Sequence, residues 1–124
     1  MGIIQLCNLL GSIIEEYINP IQFPNEKLNG NDTPIKLEVT TGMIEQGGVF
    51  DFNIELGVKA LHPKDAERMC INMINKLHRV SDVEHEGHQL ILCLAEKPHP
   101  TYEGIMEDGT YYFTCNFRLL TCIM

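Results

Sequence analysis

The feature that most constrains the fold is a change of hydrophobic period within one stretch, Val49 to Leu94. Phe52, Ile54, Leu56, Val58 and Ala60 alternate strictly with Asp51, Asn53, Glu55, Gly57 and Lys59. Successive strand residues point to opposite faces, so this is a strand with one apolar and one polar face. A few residues later the period becomes helical. Ala66, Met69, Cys70, Met73, Ile74 and Leu77 recur at i, i+3, i+4, i+7 spacing, which predicts a helix over about Lys64 to Arg79. Pro63 stands where a first helical residue loses nothing by lacking an N–H. Asp65 and Glu67 lie in the predicted first turn and Lys76, His78 and Arg79 in the last, which complements the helix dipole. A one-faced strand followed by an amphipathic helix must bury both apolar faces against each other.

The remainder of the chain fits around this unit. Ile3, Leu6, Cys7, Leu10, Ile13, Ile14, Tyr17 and Ile18 give residues 3 to 18 the apolar face of a helix, ended by Asn19–Pro20. Ile21 to Pro34 reads as a long loop. Ile35, Leu37 and Val39 alternate with Lys36, Glu38 and Thr40 as a half-buried strand. Thr41 to Gly48 reads as a hairpin connection or a protruding loop. Val80 to Gly87 reads as a polar loop and Gln89 to Ala95 as a strand. Pro98 and Pro100 take the chain out of the sheet. Tyr102 to Met106 and Thr110 to Ile123 flank Asp108–Gly109, a two-residue hairpin signal. The expected order is α-β-β-α-β-β-β. The expected fold class is α+β, a mainly antiparallel sheet with helices packed on one face, in a single domain spanning 1–124.

Composition narrows the function classes. A formal net charge of −8, with only 9 Lys and Arg scattered along the chain, gives no basic patch for phosphates. No direct sequence-specific nucleic-acid partner and no anionic membrane surface is expected. The first helix is too interrupted by polar residues to span a bilayer, and it lacks the positive start of a secretory signal. Gly2 is followed at the sixth position by Leu6 rather than the Ser or Thr of a myristoylation site. Cys7, Cys70, Cys93, Cys115 and Cys122 are odd in number and irregular in spacing, with no C-x-x-C, so they read as reduced core residues. Cys115 and Cys122 lie seven apart in one strand and face opposite ways.

Candidate chemistry is sparse. Glu84, His85, Glu86 and His88, with Cys93 and His99 beyond, are residues that bind zinc. The His85-Glu86-Gly87-His88 spacing is not the helical H-E-x-x-H signature, however, and reads as a solvated turn. Ser12 and Ser81, the two serines, sit in no nucleophile elbow. Gly47–Gly48 lacks the Lys and Ser/Thr of a phosphate loop. No catalytic residue, metal ligand or cofactor is assigned. Two apolar pairs in or beside predicted loops, Met43–Ile44 and Ile105–Met106, are the candidates for a protein interface, with Tyr102 beside the second.

From about Phe50 onward the chain resembles the tail-terminator, or minor capsid, proteins of long-tailed bacteriophages. Phe52-Asn-Ile-Glu-Leu-Gly-Val58 resembles their central strand. The Asp65–Ala66 start and the Asn75-Lys76-Leu77 end resemble their long helix. Pro98, Pro100 and Tyr102 to Gly109 resemble their loop and turn, and Gly109 to Leu119 their closing aromatic strand. The resemblance covers about three quarters of the chain and implies a non-enzymatic virion protein of the head–tail junction, from a phage or prophage. Such proteins form a homo-oligomeric ring, commonly a hexamer, on the head-proximal end of the tail tube. The implied partners are other copies of the chain, the tail-tube protein and the head-completion or connector protein. Another connector subunit, or a small cellular α+β ligand- or protein-binding module, also fits the residues.

Overall fold

The strand singled out by its alternation lies beside the last strand of the chain, and the two form the spine of the structure. The computed structural model describes residues 2–20, 34–41 and 44–123. In chain order the elements are α1 (Ile3–Ile14), β1 (Ile18–Asn19), β2 (Ile35–Val39), β3 (Ile44–Gln46) and β4 (Val49–Ala60). They continue with α2 (Pro63–Leu77), β5 (Ser81–His85), β6 (His88–Ala95), β7 (Thr101–Ile105) and β8 (Tyr111–Ile123). The fold is α+β and mostly strand, a mixed sheet with, among the described residues, two helices. β4 and β8 pair antiparallel from Val49↔Cys122 to Ala60↔Tyr111. Outward from them the sheet runs β1-β2-β4-β8-β6-β5. β3 pairs with the start of β4, and β7 with the start of β8.

The apolar set of β4 meets the apolar set of β8 on one face, in register: Phe52 with Leu119, Ile54 with Phe117, Leu56 with Cys115 and Val58 with Phe113. Ala66, Cys70, Met73, Ile74 and Leu77 of α2 close over them. Leu6, Leu9, Leu10 and Ile14 of α1 complete the same core. Pro63 starts α2 after an extended His62. Burying such side chains is worth about 1.5–3 kcal/mol each, which orients both helices.

Several boundaries differ from the sequence reading, each for a local reason. α1 stops at Ile14, not at 18. Glu15 takes a left-handed φ of 62°, and the Glu16 N–H bonds back to the Gly11 carbonyl at 3.1 Å. A Cβ at Gly11 would stand 2.7 Å from the Glu16 oxygen, so the stop needs glycine there. Ile18–Asn19 is thereby freed to pair parallel with β2, and Tyr17 is exposed rather than on the core face. α2 ends at Leu77. His78 and Arg79 lie beyond it, and the Arg79 N–H donates to the Cys93 carbonyl at 2.7 Å. The expected loop of Val80 to Gly87 contains β5, which pairs with β6. Its burial pattern is too exposed to leave a hydrophobic signature. Thr41 to Gly48 holds β3, turned back onto β4 by Gly47 and Gly48, both with positive φ. Five residues, Met106 to Thr110, connect β7 to β8, and the turn they close is over three residues, 107–109, rather than two. Gly109 N–H donates to the Met106 carbonyl and Met106 N–H to the Thr110 carbonyl, and Gly109 holds φ 83°. Finally, β8 inserts between β4 and β6 and runs antiparallel to both, so β4 and β6 are parallel but not adjacent, while β5, the strand directly after α2, runs antiparallel to them.

Candidate interaction surface

α2 and α1 cover one face of the sheet. Among the described residues no helix packs against the other. That open face is built from the polar half of the β4 alternation and its partners. Asp51, Asn53, Glu55, Gly57 and Lys59 stand opposite Leu120, Arg118, Asn116, Thr114 and Tyr112 of β8. β2 adds Lys36 and Glu38, opposite Gly57 and Glu55. An irregularity between Tyr102 and Gly104 in β7 brings Glu103 to the same face, where it accepts a hydrogen bond from the Thr114 hydroxyl at 2.8 Å.

The face carries several charge contacts, some exposed and some enclosed. Arg118 grips Asp51 with two hydrogen bonds, of 3.0 and 2.7 Å. That contact holds the Asp51 carboxyl below its ordinary range and raises the Arg118 guanidinium. The Glu55 carboxyl is pushed up, first by burial and then by Glu103 and Glu38, with Lys36 opposing. The Tyr112 ring lies across Gly57, with Lys36 Nζ 5.4 Å from the ring centroid. Burial, then the Glu55 charge, raises the Tyr112 phenol. Lys59 is only 1% exposed, and its ammonium lies 3.0 Å from Asp108 in the β7–β8 turn. The Thr110 hydroxyl donates to the same carboxylate. With Lys59 it holds Asp108 at about 2.

The residues singled out from the sequence fall in two places. Tyr102 and Ile105 project from β7 and are 52% and 63% exposed, with Met106 half-buried at the following turn. Tyr102 packs on Phe113 with ring centroids 5.1 Å apart. Met43 and the side chain of Ile44 lie outside the described residues, and the Ile44 backbone begins β3. β3 adjoins Val49–Asp51 at one end of β4, whereas β7 adjoins Tyr111–Thr114, which pair with the other end of β4. The two pairs therefore flank opposite edges of the sheet and do not form one patch. Leu61, at the end of β4, is also exposed and was not singled out from the sequence.

The fold is similar to that of a chain in a gene transfer agent virion. The match, to a chain of the virion of a native gene transfer agent particle, has a TM-score of 0.58 at 15% identity. It covers 98% of this chain and 92% of that one. No protein-family model and no curated protein matches the sequence. At this identity the likeness is one of fold, and its reach over both chains takes in the whole architecture.

The arrangement offers little to covalent chemistry. Burial raises the Cys7 thiol to about 11 and the Cys93 thiol to about 12, far from a reactive thiolate. Cys93 lies in the core and His99 on an exposed turn. Among the described residues no group of three or more His, Cys, Asp or Glu could hold a metal ion, and no helix is long and apolar enough to cross a membrane. The surface combines an open polar sheet face with exposed apolar residues at the β7 edge.

Proposed function

We propose that this chain is a non-enzymatic structural protein of a virion, a tail terminator that closes into a ring on the tail tube and joins it to the head connector. The likeness of fold to a gene transfer agent virion chain, over nearly the full length of both chains, carries this reading. The texture of the sequence from Phe50 to Leu119 supports the tail-terminator role within it. A heterologous ring needs two different surfaces on each protomer. The exposed β7 edge and the β3 end of the sheet, on opposite sides of the β4–β8 pair, suit that need. The acidic balance suits a wall along which DNA slides without being held.

Light scattering and negative-stain imaging of concentrated protein, alone and with purified tail tubes, test the proposal. Rings, or tubes capped at one end, are expected. Ile105→Asp should abolish both while leaving the melting temperature nearly unchanged, since Ile105 is already in solvent. A protein that stays monomeric and is not recruited by tubes refutes the role.

A further inference from the structure

We propose that His85 and His88 form a two-histidine chelate for a divalent transition-metal ion of the zinc class, at the tip of the β5–β6 hairpin. The two residues are direct cross-strand partners. Glu86 and Gly87 between them have φ of 48° and 79°, the positive pair of a tight two-residue hairpin turn. Directly opposed strand residues share a face with Cβ atoms about 4.5–5.5 Å apart. Two imidazoles so placed can bring one nitrogen each to the separation of about 3.3 Å that tetrahedral bonds of about 2.0–2.1 Å require.

The second observation concerns the nitrogens themselves. His85 Nε2 and His88 Nδ1 are both shielded from solvent and neither has a hydrogen-bond partner. Shielded polar atoms are nearly always satisfied, and a ring nitrogen that is not paired is costly unless something coordinates it. One on each of two facing histidines is the pattern that a shared ion would resolve. Glu86 Oε1 lies 3.9 Å from His85 Nε2, which places a negative charge beside the pair. The Gln5 amide donates to the other oxygen of Glu86 at 3.5 Å and tethers the turn to α1. Imidazole donors favour zinc, nickel and copper over magnesium and calcium, which require oxygen cages. The protein supplies two donors, and water fills the remaining positions.

Calorimetric titration of tag-free protein with Zn2+ tests this, with Mg2+ as the control. One Zn2+ per chain is expected. His85→Gln and His88→Gln should each weaken binding at least about tenfold, and His99→Gln should leave it unchanged. Absence of saturable uptake, or equal affinity in all three variants, overturns the proposal. Should a variant unfold, the visible spectrum of the unmodified protein with Co2+ decides. Ligand-field bands shifted and intensified relative to hydrated Co2+, without a thiolate charge-transfer band, support the histidine pair. A thiolate band, or the spectrum of hydrated Co2+ unchanged, refutes it.

Discussion

Gly57 lies in β4 beneath the ring of Tyr112, and replacing it with alanine sets two effects against each other. A Cβ at Gly57 would stand 2.7 Å from Tyr112 Cε1 and 2.9 Å from Cζ, with the hydroxyl closer still. Real Cβ contacts essentially never fall below 3.0 Å, so the ring must move. Overpacking of this kind costs about 1–3 kcal/mol. Against it, alanine in a strand saves about 0.5–1 kcal/mol of backbone entropy relative to glycine. Gly57→Ala is therefore expected to destabilise by about 1–2 kcal/mol. With Tyr112→Ala already present the clash disappears and only the gain remains, so the same change should stabilise by about 0.5–1 kcal/mol. The coupling in the double-mutant cycle is then about 2 kcal/mol. Urea unfolding resolves it, because a difference of 1.5 kcal/mol moves the midpoint by about 1 M at the slope of a small domain. A Gly57→Ala variant as stable as wild type, or an equal penalty in the Tyr112→Ala background, refutes the idea that the ring excludes a side chain from this site.

Asp108 makes stability depend on acid. Its carboxyl is held at about 2 against an ordinary 3.8, so its contribution is complete above pH 4 and is lost as pH falls toward 2. The difference is at most about 2.4 kcal/mol, of which about 1 survives solvent screening at a side chain 31% exposed. Asp108→Asn should be less stable than wild type at pH 7, and the gap should close near pH 2 in a series of urea titrations. A gap that does not change with pH contradicts the assignment. Cysteine reactivity gives another test. Cys7, Cys70, Cys93 and Cys115 are buried, and Cys122 is half-exposed beside Gln89. A thiol reagent at pH 8 should label one cysteine quickly in the native protein and five after unfolding. Two or more fast thiols would contradict the burial pattern.

The parts of this fold that were legible in the sequence are those with an undiluted period. β4, α2 and β8 each show their faces for ten residues or more, and all three proved central. β1, β3 and β5 are short, and β5 is largely exposed, so neither period nor composition marks them. The end of α1 was misplaced because its stop is a glutamate with positive φ, a residue that carries no stop signal. The surface was legible in part. The polar half of β4 announced an open face, and Tyr102 and Ile105 are exposed. Nothing in the alternation revealed that Lys59 would be enclosed by a turn almost fifty residues later, since that depends on where β7 and β8 fold back. The facing of His85 and His88 was hidden for the same reason. Their spacing is uninformative until a strand is recognised on both sides of Glu86–Gly87.

The long β4–β8 ladder also sets the order in which the molecule can be made. Its paired residues are between 51 and 73 positions apart in sequence, from Ala60↔Tyr111 to Val49↔Cys122. Contacts this distant must close a large loop before they return any energy, which makes folding slow for the chain's size. During synthesis β4 and α2 can meet each other and β2, but the longest ladder partner of β4 is absent until β8 has left the ribosome. The nascent chain therefore carries an incomplete core until β8 is made, and that interval is where it is most prone to aggregate.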